Sequence, residues 1–183
     1  LGIEFYSRHH LYKLVNDAPL VRPDWYFDTA IQGEGINDLP SHYVDMALWL
    51  AGNDDVTLVS AEQTATEVPR QTYAAVTGLD SFPDALQDRV SGDSLALLSN
   101  AVLEFRIGEV PVLVDAAWNL AVPEGGGDSH GLTVRGSAAD LIVDHSAETG
   151  FATVLSATPH GDDSALRAAV QDLAADFPGI ALD

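Results

Sequence analysis

Leu95-Ala-Leu-Leu-Ser-Asn-Ala-Val-Leu-Glu-Phe-Arg106 and Val110-Pro-Val-Leu-Val-Asp-Ala-Ala-Trp-Asn-Leu-Ala-Val122 read as two long strands, with Ile107-Gly-Glu109 as the hairpin turn between them. Strand follows strand here with no helix between, which argues for an antiparallel pair. Outward from this pair the same grammar recurs. Residues 56–66 alternate as a half-buried strand does. Leu132 to Arg135 and Leu141 to Asp144 form a pair across Gly136-Ser137, and Phe151 to Leu155 is a further candidate. Residues 3–15 are aromatic-rich and read as extended, and Trp25 to Asp28 as another strand after the turn at Arg22-Pro-Asp24. Residues 69–93 hold two prolines and polar turns, and read as a long loop with helical pieces around Tyr73 to Ala75 and Phe82 to Asp88.

Two substantial helices complete the pattern. One spans about 37–51: Asn37 is a candidate cap, Pro40 falls in the first turn, Val44, Leu48 and Ala51 share a stripe, and Gly52-Asn53 is the stop. The other spans about 163–177 through Leu166, Val170, Leu173 and Phe177, with Asp162 or Asp163 as cap and Pro178-Gly179 as stop. The expectation is a single α+β domain over residues 1–183: a mostly antiparallel open sheet with helices packed on one face.

The composition narrows the partners. Of 183 residues, 28 are acidic and 8 basic, a formal net charge of -20, and Lys13 is the one lysine. Such a surface repels phosphate backbones and anionic lipid, so neither nucleic acid nor membrane is an expected partner. The acidity fits either a surface that keeps its copies apart or adaptation to high salt. The chain has no cysteine, which excludes disulfides, thiolate zinc sites and thiol nucleophiles. No apolar run has the length of a bilayer span. The first residue is leucine, and a cut from a longer, cytoplasmic protein is the expectation.

Gly33-Glu-Gly-Ile-Asn-Asp-Leu-Pro-Ser-His-Tyr-Val-Asp45 carries the clearest chemistry. Asp38 and His42 lie four apart, so on a helix they share a face and the carboxylate can orient the imidazole, the usual general acid–base unit. The competing reading is a capping Asp38 with His42 packed beside it. Elsewhere the residues are less specific. Lys13 fits either an acidic or hydroxylated substrate or solvent, and Trp25 and Tyr26 either a sugar-like ring or the core. Asp45 fits a backbone hydrogen bond near a site. Asp128 and His130 lie in a glycine-rich loop of the kind that reaches sites. Six histidines raise the question of a metal, but no His-x-x-x-His pair exists and His9 and His10 fall on opposite faces of a strand, so no metal site is expected.

These residues, taken in order, resemble the C-terminal domain of the glucose–fructose oxidoreductase and inositol dehydrogenase family (the Gfo/Idh/MocA group). The resemblance runs through His10 to Asn16, Arg22 to Asp28, Gln32 to Ile36, the Asp38-x-x-x-His42-x-x-Asp45 pattern, Val76-Thr-Gly78, Phe82-Pro83 and Pro123 to His130. It implies a two-domain enzyme in which this part supplies an open sheet for subunit packing and one side of the active site. His42 would then be the acid or base on the substrate alcohol and Asp38 its helper, with Lys13, Trp25, Tyr26, Asp45, Asp128 and His130 around a sugar-like small molecule. NAD or NADP would belong to the full-length protein, because this chain has no Gly-x-Gly-x-x-Gly after an opening strand and no Glu-Lys-Pro.

The first expectation is therefore the substrate-binding and oligomerisation domain of a NAD(P)-dependent oxidoreductase acting on a sugar or polyol-like alcohol, homo-oligomeric through its sheet and inactive without the nucleotide-binding domain. A non-catalytic binding and oligomerisation module is the second, and a metal-dependent hydrolase or isomerase the third.

Overall fold

The computed structural model describes residues 1–52 and 54–177. In chain order the elements are β1 (Gly2–Tyr12), the small hairpin β2 (Leu14–Val15) and β3 (Ala18–Pro19), α1 (Thr29–Gln32), α2 (Gly35–Ala51), β4 (Val56–Pro69), α3 (Arg70–Thr77), β5 (Val90–Ser91), β6 (Ser94–Ile107), β7 (Val110–Ala121), β8 (Ser129–Arg135), β9 (Ala139–His145), β10 (Val154–Pro159) and α4 (Ser164–Asp176). The main sheet runs β10-β9-β8-β1-β7-β6-β4, with β5 also on β6. Every pairing is antiparallel except that of β1 with β7. The α+β class and the open, mostly antiparallel sheet are as the strand pattern implies.

Strand alternation gives the sheet two unlike faces. Ile3, Phe5, Val112, Val114, Leu103 and Phe105 turn to one face and form a core with Ala47 of α2, where Phe5 stacks on Tyr43 at 5.2 Å. Beyond the end of α2 a second core joins Leu11, Phe27, Tyr73, Leu86, Leu95 and Trp118. Each fully buried side chain of this size contributes roughly 1.5–3 kcal/mol. The surface ion pairs, worth about 0–1 kcal/mol each, are minor beside that.

Where α2 begins is set by sterics. Glu34 is extended (φ -82°, ψ 167°) and Gly35 starts the helix, two residues before the expected position, so Asn37 is not the cap. A Cβ on Gly35 would lie 2.5 Å from the backbone of Ser99 on β6. Only glycine lets the helix start rest on that strand.

Two local expectations are corrected and one is refined. Trp25 to Asp28 is not a strand: Asp24–Phe27 forms a 3-10 turn, because Pro23 fixes the entry at φ -65° and the Asp24 carboxylate accepts the Trp25 N–H at 2.9 Å. The extended segment from residue 3 reaches Val15 as expected but is interrupted at Lys13, between β1 and β2, and Asn16 and Asp17 take positive φ and fold β3 back on β2. The last strand starts at Val154 rather than at Phe151, which sits at φ 58° in a turn closed by its N–H on the Ser146 carbonyl. The expected stops Asn53 and Pro178-Gly179 lie outside the described residues. Among the described residues no helix is long and apolar enough to cross a membrane.

Seven of the eight basic residues, all but Arg22, lie in ion pairs with acids. Most of the 28 acidic groups are therefore left to repel one another. Molar salt screens that repulsion and is expected to raise the melting temperature by about 3 °C or more. A melting curve unmoved or lowered by salt would rule out self-repulsion as a weakness of this fold.

Candidate functional site

The most connected polar group is Asp128, one residue before β8 and across from the end of β1. Its Oδ1 accepts the His10 backbone N–H and lies 3.1 Å from His10 Nδ1. Its Oδ2 lies 3.1 Å from His9 Nδ1 and accepts from the Lys13 ammonium. Burial alone would raise the Asp128 carboxyl, but the hydrogen bonds from His9, Lys13 and His10 outweigh it and hold the group well below the usual carboxylate range. Asp128 is thus an anion at neutral pH that organises three side chains.

His10 has a fixed tautomer. A carboxylate only accepts, so Nδ1 carries the proton, and the Asn119 amide donates to Nε2 at 3.4 Å. The two rings do start on opposite faces of β1. Both Nδ1 atoms still reach one carboxylate, because Asp128 sits at the strand's end rather than on either face. Both are spent as donors to Asp128, and among the described residues no group of three His, Cys, Asp or Glu has the arrangement to hold a metal ion.

From His9 an aromatic line leads to the helix. His9 lies 5.2 Å from Trp118, and Trp118 lies 6.3 Å from Tyr26 edge to face. The Tyr26 hydroxyl donates to Asp38 Oδ2 at 3.1 Å. Burial, then the negative charge of Asp38, push the Tyr26 phenol far up, so it remains a donor. The Arg22 guanidinium covers both rings, 4.7 Å from Tyr26 and 5.0 Å from Trp118. A small recess beside Asp38 is bounded by Tyr26, Gly33, Gly35 and Trp118.

The sequence-picked residues divide accordingly. Lys13 and Asp128 come together, and Tyr26 joins Asp38. His42 is exposed on α2 and makes no hydrogen bond among the described residues, so the Asp38–His42 pairing expected from their spacing is not formed. The Asp38 carboxylate instead accepts from the Tyr26 hydroxyl, which enters from the 3-10 turn. Asp45 is exposed without an ion-pair partner among the described residues, and Trp25 is exposed in the 3-10 turn. His130 stacks on His145 with centroids 4.6 Å apart, and burial, followed by the charge of His145, lowers its pKa. Sequence reasoning did not assign His9, His10, Arg22 and Trp118 to the site. His10 and Arg22 fall within the runs of residues 10–16 and 22–28 that carry the resemblance, whereas His9 and Trp118 lie outside them, and only tertiary contact shows that the four converge.

An open, mostly antiparallel sheet with a polar cluster at the end of its central strand is not the doubly wound parallel fold of a dinucleotide-binding domain. Residues 2–183 match the family described as "Putative oxidoreductase C terminal domain". A "putative oxidoreductase" from Parabacteroides merdae ATCC 43184, known from its crystal structure, is 36% identical with a TM-score of 0.92, over 99% of this chain and 44% of that chain. One from Erwinia carotovora atroseptica SCRI1043 is 13% identical with a TM-score of 0.59, over 87% of this chain and 40% of that one, which shows the fold alone. No curated protein matches. The chain belongs to the oxidoreductase C-terminal domain family, of the Gfo/Idh/MocA type. It spans less than half the length of these two relatives.

The family is generally NAD(P)-dependent, and the residues of this chain do not fit a dinucleotide. The glycine cluster Gly125-Gly-Gly127 runs into strand β8 and opens no helix, so it offers no N-terminal amides to a diphosphate. Carboxylates of Glu124 and Asp128 flank it and would repel phosphate.

Proposed function

We propose that this chain is the substrate-side domain of a NAD(P)-dependent oxidoreductase that acts in the cytoplasm on a sugar or polyol-like alcohol. Family membership over nearly the whole chain is the observation that carries the reading. His42 is exposed and unbonded among the described residues, as a group awaiting a substrate hydroxyl must be. Asp38 stands one turn earlier as an anion whose second oxygen can accept from the same substrate, and Tyr26 fixes the first. The dinucleotide would be held by the remainder of the full-length protein. A second reading, a non-catalytic packing module, draws on the uncovered sheet face, where Val102 is exposed and Leu113 and Ala117 are half-buried on β6 and β7. The same face would serve a homo-oligomer under either reading.

In the full-length protein, His42→Ala is expected to lower turnover by roughly 10²–10⁴-fold, the usual worth of a general acid–base group. The melting temperature should not move, because His42 is exposed and makes no hydrogen bond among the described residues. Steady-state kinetics with a panel of polyols checks this. Unchanged turnover would remove His42 from the chemistry and favour the packing module.

A further inference from the structure

Beyond α2 the apolar face of the sheet continues, and the described residues leave it open. Residues paired directly across neighbouring strands point to the same face. Phe5 pairs with Leu132, Leu132 with Val143, and Val143 with Leu155. Ile3 pairs with Val134, Val134 with Leu141, and Leu141 with Ala157. Two apolar rows therefore run from the core beneath α2, over β8 and β9, to the edge strand β10. Arg135, Asp140 and Asp144 of the same strands alternate to the opposite face. The core takes in Leu132 but no residue of β9 or β10. Leu141 is 40% exposed and Leu155 69%.

The helix that follows β10 has a matching open surface. In α4, Leu166, Val170 and Leu173 form one stripe at helical spacing, extended by Phe177. No residue of α4 is buried, and Leu173 and Phe177 are 47% and 59% exposed. Arg167, Gln171 and Asp172 lie off the stripe. A 13-residue helix with nothing against its apolar stripe is marginal in water. At the helical rise α4 spans about 20 Å, the same as the six residues of β10 at the strand rise.

The turn between the strand and the helix is fixed by its own hydrogen bonds. The His160 N–H donates to the Ala138 carbonyl at 2.9 Å, and its ring Nε2 lies 3.1 Å from Asp140 Oδ1. Asp162 accepts from the Ser164 N–H at 3.2 Å and from its hydroxyl at 2.5 Å. The Arg167 guanidinium donates to Asp163 at 2.7 Å. Leaving β10 through this turn, α4 does not cover the rows of its own sheet. A second copy is the other source of the same helix, and an exchange about a two-fold axis makes the contact twice. The rows carry no carboxylate to oppose it, in a chain whose net charge is -20.

We propose that two copies of the protein exchange α4, each laying the stripe from Leu166 to Phe177 over Leu132, Val134, Leu141, Val143 and Leu155 of the other. This contact lies on the α2 face of the sheet, opposite to Val102, Leu113 and Ala117, and stands independently of the reading for Asp38 and His42.

Cross-linking of the full-length protein at about 1 M salt, where repulsion between copies is screened, tests it. Leu155→Cys and Leu173→Cys are carried by separate chains, co-expressed, and treated with a short bis-maleimide. Both positions are exposed, so the fold is left alone. A linked peptide pair containing positions 155 and 173 then joins two molecules by necessity, and it should form. Adding Phe177→Glu to the Leu173→Cys chain places a charge in the contact and should cut the yield at least about tenfold. Val102→Glu, on the other face, and His42→Ala should leave the yield unchanged. An absent link, or one indifferent to Phe177→Glu, would overturn the proposal. So would a chain carrying both cysteine substitutions that links within itself at single-chain mass, because its own helix would then cover the rows.

Discussion

Gly35→Ala is expected to destabilise the domain by about 3 kcal/mol, near the upper end for forcing extra atoms into a packed contact. The added methyl would sit 2.5 Å from the carbonyl carbon and Cα of Ser99. Those atoms are backbone of β6, held on either side by the pairing of Leu98 and Asn100 with Ala65 and Thr64 of β4, so they cannot step aside as a flexible side chain would. The helix start must lift instead, carrying Asp38 away from Tyr26. At this chain length the loss corresponds to a fall in melting temperature of about 6–12 °C. Gly161→Ala is the control: a Cβ there meets nothing within 4 Å, and its effect should stay within about 0.5 kcal/mol. Denaturant unfolding of both variants measures the contrast. Equal stabilities would mean that α2 does not rest on β6 as described.

Asp128→Ala is expected to remove about 2–4 kcal/mol, because His9, His10 and Lys13 then face one another as donors without an acceptor. The effect carries a pH signature. The folded carboxyl lies far below its ordinary value of 3.8, so its contribution is complete above 3.8 and fades as pH falls below it toward the folded value. The stability gap between wild type and variant should therefore be widest near neutrality and close in strong acid. Urea midpoints taken across that range follow the gap. A gap under about 1 kcal/mol, or one that ignores acid, would reduce the cluster to an incidental surface arrangement.

The strands at 95–106 and 110–122, the pair across Gly136-Ser137 and both main helices could be read from periodicity alone; the two long strands and α2 lay one apolar face on a core, while α4 keeps the helical spacing with none of its residues buried. Trp25 to Phe27 could not. Three aromatic residues suit a strand, and it is Pro23 and the Asp24 carboxylate that turn them into a helical turn that buries Phe27. The site followed the same division. Lys13, Tyr26, Asp38 and Asp128 could be picked out as polar or aromatic groups in turn-rich surroundings. Their pairing could not, since no local rule says that Lys13 will meet a carboxylate 115 residues away rather than water. The Asp38–His42 spacing was correct for a helix, yet spacing gives no warning of a competitor such as Tyr26 entering from another element.

Asp128 has one further consequence. It binds an imidazole from each side of β1, so the two sides of the sheet share a single pool of hydrogen-bonding capacity. His9 on one side and His10 on the other are therefore anchored by one carboxylate, and a single substitution at that position releases both rings at once.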